Sequence, residues 1–505
     1  MIHGDWIGRW GRARPEALAL VDAITGRRYT YARLADEVEA LARFLLELEV
    51  VKGDRVAVLS FNRVEYLSLF FAAARLGAIL VPLNFRLAES EFDYYLEDAG
   101  PSVFFCDADH LALAARLESR GLVRRIVCFD DDARAAAWPR IRPDLSDDPL
   151  PEIEIEADDP ALIIYTSGTT GLPKGVILSH GLIFWNSVNT NLGWDLRSTD
   201  KTILHSSLFY TAGWNVFTLP LFQTAAVNVL VRGFEPDLIL ELIQAEKITL
   251  FFGVPTMFQM MMESPRFAAA DFSSIRFLVS GGAPLPAAVR DRFLEAKNIR
   301  IWEGYGLTEV GPNNFMANGK PGTIGRPMPC VDVRLIGADG RVLGPGEEGE
   351  ILLRGPNMCS GYWRQPEATA EAIQDGWFHT GDLGRLDQDG DLAIVGRKKD
   401  MIISGGINIY PAEIERAVEA HPVVAGAAVI GVSDDKWGEV GKAIVELKPG
   451  QSLDQKELEA FLAGRLGRFK LPKYLAIVEA LPRTPASGKV QKFLLKKDHG
   501  RPDNH

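Results

Sequence analysis

Strand-like and helix-like segments alternate along most of this chain, and this alternation restricts the fold more than any other feature. Arg33–Leu48 has apolar residues at helical spacing, and Arg55–Ser60 is short and rich in β-branched residues. Val64–Leu76 again predicts a helix, and Ile79–Leu83 predicts the next strand. Repeated βαβ units place strands in sheets that helices cover. The sequence therefore predicts an α/β fold.

The sequence pattern changes twice in the second half of the chain. Between 319 and 396, short β-runs alternate with turns rich in glycine, proline and aspartate, which predicts a β-rich subdomain. Charged residues then cluster at Gly396–Asp400, between two strand-like runs. Roughly one hundred residues follow, a normal size for a small domain. We therefore predict a large N-terminal domain over 1–396, a connecting segment over 397–400 and a small α+β C-terminal domain over 401–505.

Composition and charge argue against several classes of protein. The formal net charge of −12 argues against a general nucleic-acid binder. The four cysteines are far apart, which favours reduced thiols in a cytoplasmic protein without structural zinc. The N-terminus lacks the apolar region of a signal peptide, and Arg75, Gly77 and Pro82 interrupt the most apolar stretch. We expect no integral membrane segment, and peripheral membrane contact is left open.

A loop at residues 165–175 carries the strongest chemical signal in the chain. It reads Tyr-Thr-Ser-Gly-Thr-Thr-Gly-Leu-Pro-Lys-Gly and follows an apolar run. Glycines let backbone N–H groups approach an anion, hydroxyls donate further hydrogen bonds, and Lys174 supplies a positive charge. The loop is not a Walker A motif, because Gly175 rather than Ser or Thr follows the lysine. It predicts phosphate binding, with a plain hairpin turn as the alternative.

Four further segments have residue types that suit a nucleotide and its metal ion. Ser280–Pro284 is a turn that allows close backbone approach after a strand, and Gly304–Glu309 combines an aromatic ring, a hydroxyl and a carboxylate. The ring could stack on a purine, and the carboxylate could hold Mg²⁺. Trp377–Asp382 ends in a carboxylate suited to ribose hydroxyls, and Thr484–Lys489 presents one lysine. Each segment alone also has an ordinary structural explanation.

Together and in this order, these segments resemble the adenylate-forming superfamily, which contains acyl- and aryl-CoA synthetases, firefly luciferases and adenylation domains of peptide synthetases. The chain looks most similar to bacterial fatty-acid–CoA ligases, and the resemblance runs from Thr30 to Lys489. The motifs that carry it are Tyr165–Gly175, Gly304–Glu309, Gly376–Asp382, Gly396–Asp400 with Ser404–Gly406, and Ser487–Lys489.

The resemblance implies a reaction in two steps. A carboxylate attacks the α-phosphate of ATP, which gives an acyl-adenylate and pyrophosphate, and the thiol of coenzyme A then displaces AMP. The implied partners are a small carboxylic acid, ATP, Mg²⁺ and coenzyme A, and a homodimer is left open. The small domain of such enzymes rotates about a hinge between the two steps.

The resemblance also implies a role for each matching residue. The phosphates of ATP would lie against Thr166, Ser167, Gly168, Thr169, Thr170 and Lys174. Adenine and ribose would be held by Gly282, Ala283, Pro284, Tyr305, Gly306, Asp382 and Arg397. The implied catalytic residues are Lys489, Glu309 and Thr308, with Glu309 also the Mg²⁺ ligand. Lys399 would be the hinge, and Gly405 and Gly406 would line the coenzyme A tunnel.

The sequence determines the acid itself least. The candidate acyl pocket is lined by Tyr210, Trp214, Phe217, Val254 and Met257. An unpaired charge would be costly among these side chains, so we expect an apolar tail. A medium- or long-chain fatty acid is the first expectation, and an aryl or other small acid is the alternative. Phe217 and Met257 could equally be ordinary core residues.

Two positions depart from the family pattern. Tyr210 stands where the family often has histidine, and Ile407 stands where related fatty-acyl synthetases often have glutamate. Two alternatives to a ligase stay open, a non-catalytic nucleotide or acyl sensor and luciferase-like oxygen chemistry. Lys489 argues against the sensor, which would not need a catalytic lysine.

Overall fold

The computed structural model describes residues 5–132, 136–138, 148–166, 173–404, 407–434, 437–463, 465–484 and 488–501. Two seven-stranded sheets form the large N-terminal part, with a smaller antiparallel sheet after them and a separate sheet near the C-terminus. The predicted α/β fold, with a β-rich subdomain and a small C-terminal domain, is confirmed.

One seven-stranded sheet carries the predicted phosphate loop. Its strands are β3 (Arg55–Leu59), β4 (Ile79–Pro82), β5 (Val103–Cys106), β6 (Ile126–Cys128), β7 (Ala136–Ala137), β8 (Pro160–Thr166) and β9 (Lys174–Ser179). Their order is β7-β6-β5-β3-β4-β8-β9, and the neighbours pair in parallel except for the antiparallel hairpin β8–β9. The second strand predicted after the glycine-rich loop is therefore β9.

The other seven-stranded sheet carries the predicted adenine turn at its edge. Its strands are β1 (Leu18–Asp22), β2 (Arg27–Thr30), β10 (Lys201–Leu204), β11 (Val227–Leu230), β12 (Leu250–Gly253), β13 (Phe277–Ser280) and β14 (Ile301–Glu303). Their order is β14-β13-β12-β10-β11-β1-β2. Strands β10 to β14 pair in parallel, so their carboxyl ends lie along one edge of the sheet. Ligands bind at such an edge in open α/β sheets.

Helices cover both sheets, and side chains cap the first turn of several of them. They are α1 (Trp6–Ala13), α2 (Tyr31–Glu47), α3 (Val64–Leu76), α4 (Glu91–Ala99), α5 (Leu111–Ser119), α6 (His180–Gly193), α7 (Thr211–Asn215), α8 (Thr218–Gln223), α9 (Pro236–Ala245), α10 (Pro255–Glu263) and α11 (Ala287–Lys297). Thr30 caps α2 by accepting from the N–H of Arg33 at 3.2 Å. Ser179 caps α6 in the same way, accepting from Leu182 at 3.1 Å.

The β-rich subdomain is antiparallel. It contains β17 (Asp332–Ile336), β18 (Glu348–Arg354), β19 (Ile373–Gln374), β20 (Trp377–Leu386) and β21 (Leu392–Arg397), with the short helix α12 (Pro366–Ala372). Strand β20 pairs with β18, β19 and β21, so it is the centre of this sheet. A separate two-stranded pair joins β15 (Phe315–Met316) and β16 (Arg326–Pro327).

The C-terminal sheet is separate from the subdomain. It contains β22 (Ile402–Ser404), β23 (Ile407–Ile409), β24 (Val424–Asp434), β25 (Gly438–Leu447) and β26 (Tyr474–Val478). The helices around it are α13 (Pro411–Glu419), α14 (Gln455–Leu462) and α15 (Lys492–His499). The chain leaves the subdomain after β21 and enters this sheet at β22, with a short 3₁₀ helix, Lys398–Asp400, between them.

Apolar side chains fill the space between the sheets and helices. The largest cluster lies around α2 and α3 and includes Tyr31, Phe71 and Trp214, each at most 1% exposed. A second cluster packs α10 and α11 against the seven-stranded sheet that contains β10 to β14, through Phe258 and Phe293. No helix in the described part of the chain is both long enough and apolar enough to cross a bilayer.

Candidate active site

Asp382 lies between two partners at the junction of the large and small domains. It is 4% exposed, and its carboxylate accepts from the hydroxyl of Tyr305 at 2.7 Å. On the other side it forms an ion pair with Arg397, with Oδ1 2.9 Å from Nε. The register of β20 and β21 explains the pair, because Asp382 and Arg397 are directly opposite each other. The predicted ribose residues therefore meet at one place.

The turn before Asp382 is shaped by a glycine and a threonine. Gly381 has a φ of +67°, which favours glycine over other residues. The N–H of Asp382 donates to Thr380 Oγ1 at 3.0 Å, and the N–H of Gly381 donates to Glu350 at 3.3 Å. These bonds fix the direction in which the Asp382 carboxylate faces.

Lys489 approaches the same place from the small domain. The loop that presents it is closed by two backbone hydrogen bonds, from Thr484 to the carbonyl of Lys489 at 2.8 Å and from Gly488 to that of Thr484 at 3.0 Å. Loss of water around the ammonium and repulsion from Arg397 together lower the pKa of Lys489 to about 8, with attraction to Asp382 acting against them. Lys489 therefore lies close enough to Asp382 and Arg397 for their charges to shift its pKa.

Gly488 is in direct contact with the large domain. A Cβ placed on this glycine would lie 3.1 Å from Cγ2 of Thr256, in α10. Its φ of +65° also favours glycine. The small domain is thus packed on the large one, with Lys489 near Asp382 and Arg397, the predicted ribose residues.

Glu309 lies on the phosphate side of the site, in the 3₁₀ helix Thr308–Val310. Its Oε1 accepts from the hydroxyl of Tyr362 at 3.1 Å, and Lys174 Nζ lies 4.8 Å from the centroid of the Tyr362 ring. Burial raises the pKa of Glu309, because the charged carboxylate is costly away from water. A hard cation would relieve this cost, so a carboxylate in this setting fits Mg²⁺.

Tyr362 is a site residue that the sequence reasoning missed. It follows Gly361 in the connection after β18, and Gly361 accepts a backbone hydrogen bond from Ile177 of β9 at 3.0 Å. This contact carries Tyr362 to the strand that begins with Lys174. The only signal in the sequence is an aromatic residue after a glycine, which is too common to indicate a site.

Both ends of the phosphate loop are held in place. Thr166 and Lys174 are opposite each other at the end of the β8–β9 hairpin. Tyr165 donates to Asp98 at 2.6 Å, and Tyr94 donates to the carbonyl of Pro173 at 2.9 Å. Four of the predicted phosphate-binding residues, Ser167, Gly168, Thr169 and Thr170, lie outside the described residues.

The predicted adenine turn lies at the carboxyl ends of β13 and β14. A Cβ on Gly281 would meet the ring of Phe252 at 3.2 Å, and Gly282 has a φ of +80°. A Cβ on Gly306 would lie 2.4 Å from the carbonyl of Pro312, which excludes any side chain there. Ala283 and Pro284 continue the turn. Glycine at positions 281 and 306 therefore lets the backbone pack closely on Phe252 and Pro312, and the binding of adenine at this turn stays a prediction.

The predicted acyl-pocket residues are not all in one environment. Trp214 is fully buried in the core cluster of α2 and α3, edge-on to Tyr66 at 5.8 Å, and donates to the carbonyl of Leu208. Phe217 is 3% exposed and packs on Trp194 at 5.7 Å. Val254 lies 3.6 Å from a Cβ placed on Gly282, beside the adenine turn.

The other two pocket residues lie closer to the surface. Tyr210 is half-buried, and its ring lies 4.3 Å from that of Phe209. Burial raises its pKa, so the phenol is neutral near pH 7. Met257 is also half-buried, and its Cβ lies 3.5 Å from a Cβ placed on Gly253. The acyl role of all five residues stays a prediction.

A cavity of about 10 Å³ lies at the end of β10, between α7, α8 and Phe252. Phe217, Ala212 and Phe252 form its apolar side. Its polar side includes His205, a residue that the sequence reasoning missed. The indication in the sequence that could have found His205 is its position directly after strand β10, at the edge where ligands bind in open α/β sheets.

A group of three acidic residues, Asp387, Asp389 and Asp391, lies on the turn between β20 and β21. Lys320 Nζ binds all three carboxylates, at 2.6, 2.7 and 3.2 Å. The ammonium therefore takes the position that a metal ion would need, and we assign this group to the structure of the turn.

The sequence of the chain matches a known family in both parts. Residues 7–363 match the AMP-binding enzyme family, and residues 413–489 match the AMP-binding enzyme C-terminal domain. The chain belongs to the AMP-binding enzyme family. The predicted membership of the adenylate-forming superfamily is confirmed, and so is the enzyme class, an acid–thiol ligase that forms AMP.

Similar proteins cover the whole length of this AMP-binding enzyme. A feruloyl-CoA synthase from an Amycolatopsis species is 41% identical, over 98% of this chain and 99% of that protein. The long-chain-fatty-acid–CoA ligase FadD13 of Mycobacterium tuberculosis is 37% identical, over 96% of each. The crystal structure of ATP-bound MatB from Rhodopseudomonas palustris superposes with a TM-score of 0.90 at 33% identity, over 99% of each chain. The reaction is therefore CoA ligation through an acyl-adenylate, and ATP and CoA are its substrates.

Proposed function

We propose that this enzyme activates an aryl carboxylic acid, with Lys489, Asp382 and Arg397 assembled around the nucleotide. The observation that carries the proposal is the position of Lys489, which the small domain brings beside the Asp382–Arg397 pair. Lys489 would act on the reacting carboxylate and the α-phosphate, and the pair would hold the ribose.

The first step brings two anions together, so the site must neutralise charge before the bond forms. The carboxylate oxygen attacks the α-phosphorus, and the bond from that phosphorus to the β-bridging oxygen breaks. Pyrophosphate leaves with the bonding electrons. Lys174 lies at the phosphate loop and would hold the leaving pyrophosphate, while a protonated Lys489 would stabilise charge on the α-phosphate oxygens.

Glu309 is the residue that would hold Mg²⁺. Its Oε1 is engaged by Tyr362 at 3.1 Å, and the Tyr362 ring also contacts the ammonium of Lys174. Mg²⁺ bound there would shield the charge of the triphosphate. Thr308, directly before Glu309 in the same 3₁₀ helix, would donate its hydroxyl to a phosphate oxygen.

The second step needs Lys489 to leave and the thiol of coenzyme A to enter. We propose rotation of 401–505 about Lys399, in the 3₁₀ helix between β21 and β22. Gly405 and Gly406, proposed to line the coenzyme A tunnel, lie outside the described residues, as does Ser487 in the loop before Lys489. The thiolate attacks the acyl carbon of the adenylate, and AMP leaves.

Three observations support an aryl acid over the fatty acid first expected. Trp214 and Phe217 are packed into the core, and the core around them would have to open to admit a long acyl chain. The cavity of about 10 Å³ beside Phe217 and Phe252 has room for about one water-sized atom, so it gives no space for a long chain. The feruloyl-CoA synthase, whose name specifies an aryl acid, is also slightly more similar than the fatty-acid ligase, with 41% against 37% identity.

A panel of acids tests the proposal. Purified enzyme is given ATP, Mg²⁺ and coenzyme A with benzoates, cinnamates and arylacetates, and with fatty acids of eight to sixteen carbons, and AMP release is measured. We expect the highest kcat/KM with an aryl acid. A preference for long fatty acids would contradict the proposed substrate class, and no release with any acid would favour the sensor.

A further inference from the structure

His205 occupies a buried position at the carboxyl end of β10. His205 is only 3% exposed, and its imidazole stacks on the ring of Phe251 with centroids 5.0 Å apart. Nε2 lies 2.7 Å from the carbonyl oxygen of Phe252. A carbonyl oxygen can only accept a hydrogen bond, so Nε2 must carry the hydrogen.

The protonation state of the ring follows from its burial. Loss of water lowers the pKa of His205 to about 4, so the imidazole is neutral at pH 7. A neutral imidazole has one N–H, and here that hydrogen is on Nε2. Nδ1 is therefore an acceptor, and it has no hydrogen-bond partner among the described residues. A buried acceptor without a donor is costly, so this atom calls for an O–H or N–H group.

The cavity beside His205 is large enough for one such group. Its volume of about 10 Å³ is close to the space that a single water-sized oxygen needs. Thr202, Ser206 and Thr218 are the hydroxyl residues of its lining, and the ring of Phe252 lies on its apolar side. The same ring contacts the position of Gly281 in the adenine turn, so the cavity and the nucleotide edge share a wall.

We propose that His205 is a specificity-determining residue, whose Nδ1 accepts a hydrogen bond from a hydroxyl at the far end of the acid. The inference rests on the proposed aryl-acid ligase and names the substrate class more narrowly, as hydroxyaryl acids. A methyl ether at the same position cannot donate, and an unsubstituted ring leaves Nδ1 unsatisfied. Both analogues are therefore poorer substrates than the hydroxy acid.

The first test compares matched acids in the complete enzyme. AMP release is measured with 4-hydroxybenzoate and benzoate, and with 4-hydroxycinnamate, cinnamate and 4-methoxycinnamate. We expect kcat/KM to be about a hundredfold higher for the hydroxy acid in at least one series, within the range that a buried hydrogen-bonding site achieves. Equal values in both series would overturn the role of His205, because a water molecule then fills the cavity.

Two substitutions separate the two nitrogens. His205→Asn places an acceptor oxygen near the position of Nδ1, whereas His205→Gln places its amide near Nε2 and can still donate to Phe252. We expect the asparagine variant to keep most of the hydroxyl preference and the glutamine variant to lose it. A preference that survives in both variants, or a loss of activity that is equal for all acids, would reduce His205 to a structural residue.

Calorimetric binding of the same acids to the enzyme keeps this inference distinct from the proposed reaction. Hydroxyl-dependent binding without AMP release would contradict the ligase substrate and support His205. AMP release without a hydroxyl preference would support the ligase substrate and contradict the role of His205. If none of the aryl acids binds or reacts, both are wrong.

Discussion

Lys489 is the residue where electrostatics and chemistry conflict most directly. Burial and the nearby Arg397 favour its neutral form, yet the adenylation step needs a cation beside the α-phosphate. Bound ATP would resolve the conflict under the proposed role of Lys489, because its phosphates would favour the charged lysine. In the free enzyme the lysine titrates near pH 8.

The titration of Lys489 predicts an alkaline limit for the first step. The lowered pKa means that the lysine is charged below about pH 8 and neutral above it. We expect kcat/KM for ATP in carboxylate-dependent pyrophosphate exchange to fall about tenfold per pH unit above this value. Arginine stays protonated over this range, so Lys489→Arg should not show the fall in kcat/KM at alkaline pH. Its rate should be lower than that of wild type, because the guanidinium has a different geometry. A wild-type profile that is flat to about pH 9.5 would argue against a titrating lysine.

Single residues show what the sequence could and could not reveal. Asp382, Glu309 and Lys489 each stand in a motif with an unusual composition, so all three were candidates before the structure was known. Tyr362 and His205 were not, because their roles depend on Glu309 and Phe252, which are 53 and 47 residues away along the chain. Such contacts have no local signature.

Elements were predicted best where the local signals agree with the packing. Helix α3 has the predicted bounds, Val64–Leu76, because its apolar residues and the glycine after it define both ends. Helix α2 begins two residues earlier than predicted, since Thr30 caps it. The short pair β15–β16 was not predicted, because two-residue strands are set by their neighbours rather than by their own sequence.

The 3₁₀ helix Lys398–Asp400 is the element that we propose as the hinge between the two half-reactions. We expect Lys399→Pro to slow thiolation more than adenylation, because a fixed φ at residue 399 restricts the rotation between them. The two half-reactions are measured separately, by pyrophosphate exchange and by CoA transfer to a supplied acyl-adenylate. Lys399→Ala is the matched control and should retain both. Equal losses in the two assays with proline would place the hinge elsewhere.

At the scale of the whole molecule, one site is built by two domains. The large domain supplies Asp382, Arg397 and Glu309, and the small domain supplies Lys489 through a loop that packs against Thr256. Neither domain holds the full set of proposed catalytic groups. Separation of the domains would therefore remove the catalytic cation and leave the nucleotide residues in place.

The contact between the domains can be tested with a single methyl group. Gly488→Ala places a Cβ 3.1 Å from Thr256 and strains a left-handed residue by about 1–2 kcal/mol. We expect pyrophosphate exchange to fall at least about tenfold, an effect of roughly 1.4 kcal/mol on the barrier, while thiolation changes little. Gly450→Ala, in the same domain, has a similar φ of +74° and no described atom within 4 Å of the new Cβ. It should lose stability only, and an equal loss of exchange there would show that strain rather than contact is responsible.

The most direct measurement compares the two half-reactions in Lys489→Ala. The central claim is that the small domain brings Lys489 to the Asp382–Arg397 pair for adenylation alone. Carboxylate-dependent ATP–pyrophosphate exchange should fall by about a thousandfold or more, because the α-phosphate loses the cation that we propose stabilises it in the transition state. CoA transfer to a supplied acyl-adenylate should stay within about threefold of wild type, since the lysine has no part in that step. Exchange that survives in Lys489→Ala would contradict the claim.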